Sequence, residues 1–162
     1  MKKVLSKLLV VIALLTCGCG SEPSADTVSM YDLRVAMEEA DESLPSMLNA
    51  SNVEEDAKSN FKHISDLDYD KVESYFVSYS EEGFADEIAV IVVKDAADVK
   101  KAKESLAAHR EDRHKLLEQY EPEQVRRIDD GLVFTSGRYA VLIICDNAGA
   151  VKAAFEKFIS ES

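Results

Sequence analysis

Two short, unbroken apolar runs constrain the fold of this chain more than any other feature. Residues 88–93 read IAVIVV and residues 140–145 read AVLIIC. Both are rich in β-branched residues, only six residues long and flanked by charged or turn-forming neighbours. Each therefore reads as a strand, 87–94 and 138–145 once the flanks are included, the first of them as expected in a sheet centre. Residues 72–80 (VESYFVSYS) alternate Tyr75, Val77 and Tyr79 as a strand does, and Glu81-Glu82-Gly83 turns the chain into the first apolar run. The second run has its own partner. Residues 124–135 read as a strand bent near Asp129-Asp130-Gly131, and Ser136-Gly137 is a two-residue hairpin signal.

Helical segments separate these hairpins. Leu33, Met37 and Ala40 recur on one face over residues 30–42, and Leu44-Pro45 ends that pattern. Asn52 followed by Glu55 predicts an N-cap and a helix toward Lys62. Asp95 or Asp98 caps a long helix to about Gln119, stopped by Pro122; Asn147 caps a final amphipathic helix carrying Val151, Phe155, Phe158 and Ile159. The expected class is α+β: a four-stranded, mostly antiparallel sheet in hairpin–helix, hairpin–helix order, with N-terminal helices and cover on one face. At 162 residues, with six glycines and three prolines, the chain is sized for one packed domain, expected over 30–162.

The N-terminus has a separate character. Lys2, Lys3 and Lys7 precede an apolar run of eight at residues 8–15. As a helix, eight residues rise only about 12 Å, well short of the roughly 30 Å of a bilayer core. Such a segment is a secretory signal rather than a span. Cysteine directly after it offers a thiol for a diacylglycerol, with cleavage leaving the lipidated cysteine as the new N-terminus. Residues 1–19 thus resemble the signal peptide and lipobox of bacterial lipoproteins. Cys19 follows the small Gly18 and is the favoured acylation site; Cys17, preceded by Thr16 with Leu14 and Leu15 upstream, is the alternative. Residues 20–29 (GSEPSADTVS) are small, polar and proline-bearing, as a flexible tether would be.

Charge and cysteine count sharpen this reading. The chain carries 31 acidic against 19 basic residues, a net −12, and loss of the three leader lysines takes it to −15. Phosphate binding requires clustered Lys and Arg, so no nucleic-acid partner is expected. Anionic head groups repel such a surface, which leaves the acyl chains to hold it at the membrane. With Cys19 acylated, Cys145 is the one remaining thiol, and its apolar run reads it as a small buried hydrophobe without catalytic use.

Other motifs are weak. Asp66, Asp68 and Asp70 imitate the opening of an EF-hand loop, but Lys71 stands where glycine is needed and Val77 where a bidentate glutamate is needed. These acids read as loop and capping residues. His109 and His114 lie about 140° apart on a helix, unlike a zinc-binding i, i+4 pair. Neither they nor His63 form a metal site, and no cofactor is implied. Phosphate loops and nucleophile elbows are absent from the sequence. Arg110 and Arg113 are less routine, because with Leu106 as reference they fall within about 40° of the apolar face of the long helix. Glu87 is a candidate partner. Either the stems snorkel past the sheet or the pair forms a pocket for a carboxylate or other anion.

The stretch from Tyr69-Asp70-Lys71-Val72 through residues 84–90 (FADEIAV), then Lys94-Asp95, Arg110, Tyr120-Glu121-Pro122 and residues 137–142 (GRYAVL), resembles domain-of-unknown-function family 4358. The resemblance covers about residues 30–160 and implies a small lipoprotein of Gram-positive, clostridia-like bacteria. Cys17-Gly18-Cys19 departs from that family's usual single-cysteine lipobox. No activity comes with the resemblance. The expected function is therefore a non-enzymatic domain at the extracytoplasmic face, bound to the cell membrane by its acyl anchor and engaging a protein or envelope partner. The alternative is capture of a small anionic ligand through Arg110 and Arg113.

Overall fold

The computed structural model describes residues 28–162; the leader, both candidate acylation sites and the tether before Val28 lie outside the described residues. The described residues fold into ten regular elements and a few single 3-10 turns. In order they are α1 (Met30–Glu38), β1 (Met47–Ser51), α2 (Ala57–Phe61), β2 (Val72–Ser80), β3 (Glu87–Val93), α3 (Val99–Tyr120), α4 (Val125–Asp129), β4 (Leu132–Ser136), β5 (Tyr139–Ile144) and α5 (Ala148–Glu161). One five-stranded sheet runs β1-β2-β3-β5-β4, with every neighbouring pair antiparallel. The α+β class and the two hairpins match the sequence reading; the expected strand count of four does not.

The additional strand is β1. Its sequence, MLNAS, is short and neutral, and an edge strand need only pack one side against a neighbour, so its apolar alternation is faint. Asn52 lies just beyond it. Its side chain accepts the backbone N–H of Tyr75 at 3.3 Å instead of capping a helix, and α2 starts five residues later behind Asp56. The other correction falls at residues 124–131. Pro122 opens a 3-10 turn that leads into α4, and only residues 132–136 pair as β4. Helix prevails here because Val125 and Ile128 share a helical face, with Ile128 fully buried, while Arg126 and Asp130 pair one turn apart.

Cover on both faces, not one, explains the unbroken apolar runs. Tyr75, Val77, Ala89, Ile91, Leu142 and Ile144 point to one side, where α2, α3 and α4 contribute Phe61, Leu106 and Ile128. Phe76, Ile88, Val90, Val92, Val141 and Ile143 point to the other, against Leu33 and Met37 of α1 and Val151 and Phe155 of α5. Successive residues of a strand face opposite ways, so a central strand between two helical layers must be apolar at every position. All seven residues of β3 and all six of β5 are buried.

Gly131 makes the α4–β4 corner possible. A Cβ there would stand 2.9 Å from the Ile128 carbonyl oxygen, 3.1 Å from that of Ile143 and 3.1 Å from Ile144 Cγ1. Two of these neighbours are backbone and cannot swing aside. Gly131→Ala is expected to destabilise the domain by about 1–3 kcal/mol, read as a lower urea midpoint with an unchanged slope.

Candidate functional site: a cleft beside the sheet edge

Glu87 opens β3 with its side chain on the α3 side of the sheet, opposite Tyr79 of β2 and Ile144 of β5. It is the polar exception in an otherwise apolar strand. A carboxylate buried this deeply needs compensating partners. His109 Nε2 donates to Glu87 Oε1 at 2.7 Å, and Arg113 Nε lies 3.2 Å from Oε2. His109 and Arg113 are four residues apart on α3 and so project from one face. That Nε contact is an ion pair without hydrogen-bond alignment, since the Arg113 Nε–H has no hydrogen-bond partner among the described residues. The same guanidinium donates through its terminal nitrogen to the carbonyls of Phe84 and Ala85, at 3.1 and 3.2 Å.

Glu87 and Arg113 thus meet, whereas Arg110 goes elsewhere and donates to the Gly131 carbonyl at 2.8 Å. The two arginines hold main-chain carbonyls just before β3 and just before β4. Each binds the long helix to one corner of the sheet. His109 is largely buried through its bond to Glu87. His114 stays near the surface, 3.4 Å from Asp129, and His63 borders the cleft described next.

Between α2, α3 and the sheet lies a cleft of about 480 Å³. Ala50, Ile64 and Val77 supply apolar wall; Glu54, Tyr79 and the Glu87–His109–Arg113 group supply its polar surface. Arg113 reaches this cleft and Arg110 does not, so the two do not converge on one ligand position there. Glu54 and Glu87 outnumber Arg113, which favours a cationic or hydrogen-bonding group over an anion. Sequence reasoning missed Glu54 and Tyr79 as neighbours because it placed no strand at β1, the element that brings them together.

Removal of the buried acid checks how tightly the cleft is braced. Glu87→Ala strands His109 and leaves Arg113 with carbonyls alone, an expected loss of about 2–4 kcal/mol. Glu87→Gln keeps an acceptor and is expected to lose less than half as much by chemical denaturation.

A second polar cluster lies where α1, β5 and α5 meet. Asp41, nearly inaccessible, accepts from Ser43 N–H (3.0 Å), Ser43 Oγ (2.5 Å), Asn147 N–H (2.9 Å) and Asn147 Nδ2 (2.7 Å). Asn147 stands at the N-cap of α5, yet its side chain serves Asp41 rather than the helix. Burial pushes the Cys145 thiol up to about 12, helped by the adjacent Asp41 carboxylate. Nearby, Arg127 grips both oxygens of Asp146 at 3.0 Å and reaches buried Asp86 at 2.9 Å. Burial raises the Asp86 carboxyl, against the pull of Arg127.

The imitation calcium loop has ordinary duties. Asp66 accepts from Ser105 Oγ at 2.6 Å, and Asp68 caps the turn at Tyr69–Lys71. Among the described residues no group of three or more His, Cys, Asp or Glu side chains is placed to hold a metal ion, and no helix is long and apolar enough to cross a membrane.

A family described only as a domain of unknown function, DUF4358, matches residues 46–145. That span takes in all five strands and every residue lining the cleft, and omits α1 and α5. No curated protein and no solved structure matches the chain.

Proposed function

The chain belongs to the DUF4358 family of domains of unknown function, and we propose that it is a lipid-anchored, non-catalytic binding domain at the extracytoplasmic face of the cell membrane. Residues 1–19 supply the leader and Cys19 the acylation site. Residues 20–27 supply the tether, since Val28 packs in the core and Ser29 caps α1, and the cleft beside β1 supplies the binding surface.

One observation carries the reading beyond the leader. The chain enters the domain at Val28, which packs with Leu33 and Met37 on the α1/α5 face, whereas the cleft opens on the opposite face of the sheet. A tether drawn from one side leaves the cleft free to face away from the bilayer. A binding role fits the chemistry at hand. Glu87 and His109 are spent on each other, and Arg113 on Glu87 and main-chain carbonyls. The thiol of Cys145 is buried and held protonated, which suits packing and not nucleophilic attack.

The proposal is tested on intact cells. Trypsin added outside is expected to remove the domain from the membrane fraction while a cytoplasmic marker survives. Persistence of the uncut chain until the cells are lysed would overturn the assignment to the outer face.

A further inference from the structure

From the edge of the sheet we infer that β1 is a docking strand for an extended segment of a partner polypeptide in which apolar and basic residues alternate. The inference deepens the binding-domain reading and rests on it.

The register of β1 decides which of its backbone groups are free. Glu81 N–H donates to Ser46 O, and Asn52 N–H donates to Tyr75 O. Between those points the pairing with β2 is continuous, Met47 to Ser80 through Ser51 to Phe76. Hydrogen-bonded pairs alternate in an antiparallel ladder, so Leu48 and Ala50 bond to β2. Met47, Asn49 and Ser51 aim their backbone outward. Among the described residues the N–H groups of all three, and the carbonyls of Met47 and Asn49, have no partner; Ser51 O accepts weakly from Glu54 N–H. Natural edges are commonly blocked by charge, proline or a bulge. The five residues of β1 carry none of these.

Exposed apolar side chains gather at the same place. Of six large hydrophobic residues exposed in the described chain, Tyr31, Leu48, Val53 and Tyr79 surround β1; the other two lie toward the end of α3. A groove of about 130 Å³ runs between α1 and β1, with Met30, Tyr31, Val53 and Phe76 along it. The larger cleft lies on the other face and reaches β1 at Asn49 and Ala50. Side chains of an added strand alternate between the two faces. One set therefore meets an apolar and aromatic groove, and the other meets Glu54 and the acidic side of the cleft. Charge selects the second set. A chain of net −12, or −15 once the leader lysines are lost, attracts a basic segment and repels a second copy of itself.

The test uses the full chain in detergent with two synthetic probes of about eight residues, the usual reach of a strand: alternating Val and Lys, and alternating Val and Glu. The Val/Lys peptide is expected to bind saturably and to slow hydrogen exchange at the Met47, Asn49 and Ser51 amides by tenfold or more. The amides of Leu48 and Ala50, already bonded, should hardly change. Asn49→Pro removes one outward donor without touching the β2 ladder and is expected to weaken binding at least tenfold with an unaltered circular dichroism spectrum. Glu54→Lys, a surface change, should weaken the Val/Lys peptide and improve the Val/Glu one. Equal binding of both peptides, unprotected β1 amides, or protection of those amides by dimerisation without peptide would each overturn the inference. None of these outcomes touches membrane anchoring, which is read separately from the acyl group.

Discussion

Replacing Asp41 by alanine is expected to cost the domain about 3–5 kcal/mol near neutral pH, the largest stability loss we predict for a single polar side chain. The magnitude follows from what is stranded. Four donors from Ser43 and Asn147 converge on one buried carboxylate, and truncation leaves the Asn147 N–H and amide without acceptors. The junction is also long-range, since Asp41 follows α1 and Asn147 begins α5, the two helices that cover one face of the sheet. A loss of this size corresponds to roughly 10 °C or more in melting temperature for a domain of this length.

The same residue sets a pH signature. Burial on its own would raise the Asp41 carboxyl, but the hydrogen bonds from Ser43 and Asn147 outweigh it and hold the group well below its ordinary value of 3.8. A folded-state value below the unfolded one means that ionised Asp41 stabilises the fold above about pH 4. The contribution drains away as pH falls further toward the folded-state value. Urea titrations of wild type and Asp41→Ala should therefore differ by the full amount near neutrality and converge in acid. Asp86 opposes this trend. Its carboxyl is raised by burial, so protonating it in acid relieves part of the cost of enclosing it. Asp41→Ala should retain that upward response after losing the downward one.

The second large effect concerns location. On the proposed lipid anchoring, Cys19→Ala is expected to remove the acyl anchor and move essentially all of the chain out of the membrane fraction. The leader is too short to replace the anchor, and an acidic domain has no affinity of its own for anionic head groups. Cys17→Ala should leave the distribution as it is. The reverse pattern would move the acylation site to Cys17 while preserving the anchored state; retention of both variants in the membrane would contradict the lipid anchor. Because Cys19 belongs to the leader rather than to the domain expected over residues 30–162, the melting temperature of released protein should equal that of the wild-type domain.

How far the fold could be read in the sequence depended on burial. β3 and β5 declared themselves through unbroken apolar runs, and β2 through Tyr75, Val77 and Tyr79. The same unbroken character carried a further message: polar alternation is lost when helices lie on both faces, which corrects the expected single layer. β1 was hidden by its position at the edge, where a neutral five-residue strand has no strong pattern. Residues 124–131 were misassigned because Val125 and Ile128 suit either a strand or one turn of helix, and Pro122 reads equally as a stop or a helix start. The site was legible in part. Glu87 and Arg113 meet, since a charged residue in an apolar strand and an arginine on an apolar helix face each require a partner. Arg110 answered the same need with the Gly131 carbonyl. His109 could not be found this way, because its role depends on how α3 lies across β3. That crossing is a tertiary property that helix periodicity does not encode.

The most direct measurement is mass spectrometry of the membrane-extracted chain after tryptic digestion. No lysine or arginine lies between Cys19 and Arg34, so the N-terminal peptide of the mature protein spans residues 19–34. It should begin at Cys19 and carry the mass of a diacylglycerol on the thiol. An unmodified peptide from chain released into the medium would contradict the proposed lipid anchor.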